Sequence, residues 1–137
     1  MLKLIIGNKA YSSWSLRGWL AVKQSGLPFE EITVPMFDED WNRRREGDEF
    51  APSGGKVPIL WDDKTVIWDS LAISEWLAHK TDRARLWPTD DAARGMARSM
   101  AAEMHSSYQN LRRDCPMNLR KRFPTGRLSE AVHAEIK

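Results

Sequence analysis

Val57-Pro58-Ile59-Leu60-Trp61-Asp62-Asp63-Lys64-Thr65-Val66-Ile67-Trp68-Asp69-Ser70 holds two short β-rich runs joined by a polar turn and closed by a helix cap. Val57 to Trp61 before Asp62-Asp63-Lys64, and Thr65 to Trp68 after it, predict a hairpin. Asp69-Ser70 then cap a helix running to about His79, in which Ile73, Trp76 and Leu77 fall at helical spacing.

Upstream, Leu2 to Ile6 is an apolar run ended by Gly7-Asn8, which suits a central strand buried on both faces. Ser12-Ser13 precede a helical stretch, Ser15 to Ser25, that carries Leu16, Trp19, Leu20 and Val22 and stops at Gly26 with Pro28 beyond. Phe29 to Val34 is a second strand, ended by Pro35. Asp38 to Phe50 sets Trp41 in a highly charged background and is expected as a short, poorly packed helix or turn at the surface. The order is βαβ, a short α or turn, then ββα: an α/β, thioredoxin-like domain over residues 1–80, with helices covering a mixed sheet. Its expected core is Leu4, Ile6, Leu20, Ile59, Val66, Ile73 and Leu77, with Trp19, Trp61, Trp68 and Trp76 as packing residues.

Downstream, residues 81–91 read as a linker, and residues 92–137 as part of an all-helical domain. Ala93, Ala97, Met100, Met104, Tyr108 and Leu111 step by three and four, predicting one long amphipathic helix that ends near Asp114 and is stopped by Pro116. Pro124-Thr125-Gly126 precede a further helical start, Leu128 to Ile136. Charge changes at the same boundary: residues 1–80 carry 10 basic and 12 acidic side chains, residues 81–137 carry 11 and 7.

The chain has 137 residues, a mass of 15.8 kDa and a formal charge of +2. A compact chain of this mass exposes about 7,300 Å² against about 23,000 Å² unfolded, enough for one core. No apolar run reaches the roughly 20 residues of a membrane span, and Met1 to Gly7 lacks the features of a signal peptide. Cys115 is the one cysteine, which excludes an intrachain disulfide and a dithiol centre and suits a reducing, cytoplasmic setting. His79, His105 and His133 match no metal-ligand spacing, so no metal is expected. The basic stretch from Leu111 to Arg127 holds Phe123 alone for stacking and reads as a solvated face rather than a nucleic-acid surface.

Three features converge on one edge of such a fold: Ser12-Ser13-Trp14-Ser15 entering the first helix, Val57-Pro58 entering a strand, and Asp69-Ser70 entering the third helix. Each alone is an ordinary cap or edge device. Together they resemble the N-terminal domain of glutathione transferases, most closely its serine-type, zeta-like branch, over Leu2 to about His79 and more loosely to about Arg122. The resemblance implies that Val57-Pro58 form a cis-proline turn pairing with the cysteinyl unit of glutathione and that Asp69-Ser70 hold its γ-glutamyl end; the charge of Lys56 suits a pairing with the ligand's other carboxylate. The zeta-like signature Ser-Ser-Cys-Ser-Trp-Arg is here Ser12-Ser13-Trp14-Ser15-Leu16-Arg17. By that match Ser12, or Ser13 beside it, is the thiol-activating hydroxyl. Trp14 and Leu16 depart from the pattern, so the inference carried forward is a general transferase rather than a zeta isomerase. Tyr11, Trp14, His105 and Tyr108 are the candidates for the electrophile pocket, although His105 taken by itself reads as solvated helix surface.

Thiol activation is chemically sensible at this place. A free thiol has a pKa near about 8.5, and lowering it by about two units is worth about 2.7 kcal/mol. A hydroxyl at a helix N-terminus, among outward backbone N–H groups, stabilises a thiolate. The resemblance further implies a homodimer, glutathione as co-substrate, and a detoxifying conjugation that residues 1–137 alone perform poorly, because the family's helical domain is longer. The alternative is a non-catalytic, transferase-like interaction module.

Overall fold

A computed structural model of the chain describes residues 1–123, 126 and 128–136. Pro124, Thr125 and Arg127, which belong to the expected last helix start and to the basic stretch, lie outside the described residues, as does Lys137.

The sheet has four strands, β1 (Leu2–Ile6), β2 (Phe29–Thr33), β3 (Ile59–Asp62) and β4 (Thr65–Trp68), in the order β2-β1-β3-β4. β1 pairs parallel with β2, Leu2 opposite Phe29, and antiparallel with β3, Leu4 opposite Leu60. β3 and β4 form the expected hairpin, Leu60 opposite Ile67. The parallel pair needs a crossover, and α1 (Ser13–Ser25) supplies it. α1 starts on Ser12, whose Oγ accepts Ser15 N–H at 3.2 Å, and ends on Gly26 at φ 73°, a left-handed cap suited to glycine. α3 (Ser70–Lys80) lies beside α1, and both cover the face bearing Leu4, Ile6, Leu60 and Ile67, where Val22, Ile73 and Leu77 complete a water-free core. This is the thioredoxin-like α/β arrangement.

The opposite face is where the structure departs from expectation. α2 (Trp41–Arg45) is short, but it is not loosely packed: Trp41 and Phe50 are 5% and 3% exposed and sit with Ile5 and Ile59 in a second core cluster. Two bulky aromatics among charges were enough to close a face that the sheet would otherwise leave wet. Conversely, Leu20 and Trp68, expected inside, are 52% and 45% exposed. Trp19, Trp61 and Trp76 are half-buried; Trp19 and Trp76 turn their indole N–H groups to the carboxylates of Glu31, at 2.7 Å, and Asp62, at 3.3 Å.

Beyond α3, a 3-10 turn at Arg83–Arg85 leads to α4 (Asp91–Ser106). The single long helix expected to run to Asp114 is broken. α4 stops at Ser107, Tyr108 adopts a left-handed conformation with φ 64°, and a separate α5 (Gln109–Asp114) follows. α5 has no side-chain cap of its own. Glu135 of α6 (Glu130–Glu135) supplies one, accepting Asn110 N–H at 3.1 Å and Leu111 N–H at 2.7 Å, while Val132 is fully buried. No residue of α4 is buried, and Met96, Met100 and Met104 of its apolar stripe are exposed. The accessible surface, 9291 Å², accordingly exceeds the roughly 7,300 Å² of a compact chain of this mass.

Candidate functional site

The start of α1, the approach to β3 and the start of α3 come together at one end of the sheet, as the spacing of the three motifs anticipated. The loop before β3 is tied by its own hydrogen bonds: Ser53 Oγ accepts Lys56 N–H at 3.0 Å and lies 2.7 Å from Lys56 O, and the Val57–Pro58 peptide bond is cis. Pro58 rests on α1 at Gly18, where a Cβ would meet its ring carbons at 2.7 Å. Glycine is required there by close approach.

A cleft of about 550 Å³ results, lined by Ser12, Lys56, Val57, Pro58, Asp69 and Ser70 together with Arg45, Trp14 and Trp68. Every residue expected to hold the peptide co-substrate is in this one lining. Its charged side chains are two cations and one carboxylate. Ser70 is 1% exposed, and its Oγ has no hydrogen-bond partner among the described residues. A buried hydroxyl without a partner costs free energy unless something else satisfies it.

A larger cleft of about 1000 Å³ adjoins the first, with Tyr11, Ser13, Arg17 and Thr33 on the sheet side and Met104, Arg112 and Cys115 opposite. Leu119 N–H donates to Ala10 O at 3.0 Å, tying the segment after α5 to the loop before α1. Ser12, Trp14, Met36 and Phe37 line both clefts, so Ser12 stands on their common wall, whereas Ser13 faces the larger one alone. Ser12 Oγ lies 2.9 Å from Ser15 Oγ, which is itself fully buried and accepts Gly7 N–H at 2.9 Å.

His105 and Tyr108 line neither cleft. His105 is not solvated surface either: its Nε2 is 2.8 Å from Asp69 Oδ2, and its ring meets the edge of Trp14 at a centroid distance of 5.3 Å. Tyr108 is held at the break between α4 and α5. Asp69 uses its other oxygen, Oδ1, to accept Leu71 N–H at 2.9 Å as the cap of α3.

Residues 11–80 match the family described as glutathione S-transferase, N-terminal domain. The chain belongs to the glutathione S-transferase family. Glutathione S-transferase GstB of Escherichia coli (strain K12) is 28% identical over 121 residues, which is 86% of this chain and 57% of that protein. Among solved structures, human glutathione S-transferase T1-1 in its apo form is 27% identical with a TM-score of 0.65, covering 84% of this chain and 46% of that one. A glutathione transferase homolog from Burkholderia, solved with bound glutathione, is 25% identical with a TM-score of 0.63, covering 80% and 56%. The chain thus spans about half the length of these relatives.

In this member of the glutathione S-transferase family, Arg17, Arg45 and Arg112 line the clefts and Ser15 bonds to Ser12, and the motifs assigned none of these four a role. Ser15 and Arg17 stand inside the Ser12 to Arg17 signature, where their spacing of three and five from Ser12 was the available signal. Arg45 and Arg112 come from short charged helices that carry no motif. Among the described residues, no group of three or more His, Cys, Asp or Glu could hold a metal ion, and no helix is long and apolar enough to cross a membrane.

Proposed function

We propose that the chain is a serine-type glutathione transferase, in which residues 1–80 bind glutathione, residues 81–91 connect, and residues 92–137 contribute to the electrophile side. The observation that carries this reading is the lining of the smaller cleft. Glutathione has two carboxylates and one ammonium group, and Arg45, Lys56 and Asp69 offer the complementary two cations and one anion. Ser70 Oγ adds a buried hydroxyl with no partner among the described residues, and the match to the glutathione S-transferase N-terminal domain supports the same ligand. An interaction module that binds no ligand has no use for that set.

Ser12 is the proposed activator. A thiol seated on the wall between the clefts meets it from one side and the electrophile from the other. Hydroxyl protons can turn either way along the Ser12–Ser15 pair. With Gly7 N–H donating into Ser15 Oγ, the Ser15 proton can be given to Ser12, leaving the Ser12 proton for the sulfur. That hydrogen bond, at a helix N-terminus, favours the thiolate. The thiolate then attacks the electrophile and displaces its leaving group. Trp14, standing where the zeta-like signature has cysteine, separates this reading from a zeta isomerase.

The exposed methionines of α4 support a homodimer formed through α3 and α4, and the single cysteine suits a cytoplasmic protein of detoxifying role. Titration calorimetry of the chain with glutathione tests the central reading. Saturable binding, weakened 10-fold or more by Asp69→Ala and by Ser70→Ala, is expected. Absence of binding at millimolar glutathione would refute it.

A further inference from the structure

Arg17 on α1 and Arg112 on α5 place their guanidinium carbons 4.4 and 4.6 Å from the centroid of the Trp14 ring. The two cations are therefore no further apart than the sum of those distances, and both line the larger cleft. Arg112 is held in place by the carbonyls of Ser107, at 3.1 Å, and Met104. Arg17, partly buried, has no hydrogen-bond or ion-pair partner among the described residues. Its pKa is lowered, first by burial and then by the charge of Arg112, with the carboxylate of Asp69 opposing more weakly. Asp69 is already engaged by His105 and by the N-terminus of α3. None of the residues lining the larger cleft is Asp or Glu. A third guanidinium, that of Arg120, stands 5.8 Å from the ring of Tyr11, which lines the same cleft.

Stacking on an indole compensates one guanidinium in part, but it does not neutralise two of them sharing one ring. Among the described residues no carboxylate pairs directly with Arg17 or Arg112, and Asp69, which acts on Arg17 from beyond pairing distance, is already shared between His105 and the start of α3. We propose that Arg17 and Arg112 form a binding site for a carboxylate borne on an aromatic ring, so that the larger cleft selects aromatic acids. The guanidinium fork matches a carboxylate through paired hydrogen bonds, and Met36, Phe37 and Leu111 offer apolar surface to the ring. This site is distinct from the cations of the smaller cleft, Arg45 and Lys56, because Arg17 and Arg112 do not line that cleft. Identifying the bound acid as the electrophile rests on the transferase reading; the anion site itself does not.

The test uses the full chain and two isosteric probes, 4-nitrobenzoate and its uncharged amide, 4-nitrobenzamide, measured by titration calorimetry. The acid is expected to bind about 10-fold tighter than the amide, and to lose most of that preference in 0.5 M salt, in Arg17→Gln and in Arg112→Gln. Arg17→Lys, which keeps charge but not the fork, is expected to retain part of it. Equal affinity for acid and amide overturns the proposal, as does a preference that survives both glutamine variants. Displacement of the acid by glutathione also overturns it, since the two would then share one cleft. If 4-nitrobenzoate binds with the expected Arg17 dependence while glutathione does not bind at all, the anion site stands and the transferase reading falls.

Discussion

His105 Nε2 stands 2.8 Å from Asp69 Oδ2, so a single histidine on α4 joins the helical half of the chain to the cap of α3. The same imidazole packs edge-on against Trp14. His105→Ala removes a charge-assisted hydrogen bond and an aromatic contact, together about 1–2 kcal/mol. Amide hydrogen exchange in α4 is expected to accelerate while β1 and β3 keep their protection; unchanged exchange in α4 would show that the contact holds nothing.

Gly18→Ala places a methyl group 2.7 Å from the Pro58 ring. Helix propensity alone favours alanine, so a gain in stability is the ordinary expectation for a helical glycine. Here overpacking wins, at a cost of about 1–3 kcal/mol. The expected outcome is a lower melting temperature together with weaker glutathione binding, because Pro58 lines the smaller cleft.

Trp41→Ala is expected to destabilise by about 3–5 kcal/mol, as for other buried tryptophans. Trp68→Ala, with a side chain nearly half exposed, is expected to cost less than about 1 kcal/mol. Urea denaturation of the two variants separates them, and the opposite ranking would contradict the second core cluster.

Ser12→Ala is expected to slow conjugation of glutathione to a chlorinated aromatic electrophile by 10-fold or more, with glutathione affinity nearly unchanged. Ser15→Ala leaves the buried Gly7 N–H without its partner, so it is expected to lose activity and also about 1–3 kcal/mol of stability. A fully active Ser12→Ala would move thiol activation to Ser13, to Tyr11 or to backbone N–H donors alone.

Acid should weaken the fold through Asp62 and Glu31. The hydrogen bond from Lys80 holds the Asp62 carboxyl below the usual carboxylate range, and that from Lys9 does the same for Glu31. Each folded-state value lies below the unfolded one, so the stabilisation is complete above the unfolded pKa and is lost as pH falls through the folded value. Urea midpoints measured from pH 7 down to pH 3 are expected to fall, and Asp62→Asn to flatten that decline.

The sheet and its three site motifs were legible because they are local. Apolar runs, a polar turn at Asp62-Asp63-Lys64, and caps at Ser12 and Asp69 each act within a few residues, and the βαβ crossover leaves few ways to connect them. Trp41 and Phe50 were misplaced because burial of an aromatic among charges depends on which sheet face lies above it. The break at Tyr108 left no periodic signal, since Leu111 stays in phase with Met104 across it. His105 meeting Asp69, and Arg17 meeting Arg112, are contacts between distant segments, set by how α4 and α5 dock. The expected peptide-binding residues could be gathered from motif order alone, whereas the cations of the larger cleft could not.

Ser70 opens α3 with a hydroxyl that the fold buries and that has no hydrogen-bond partner among the described residues. Alanine there would relieve the desolvation and improve helix propensity at once. Ser70→Ala is thus expected to melt at a higher temperature than the parent when free, and at a lower one when both are saturated with glutathione. At this position readiness for a ligand and stability without one are opposed, and the resting protein sits below the greatest stability its own backbone allows.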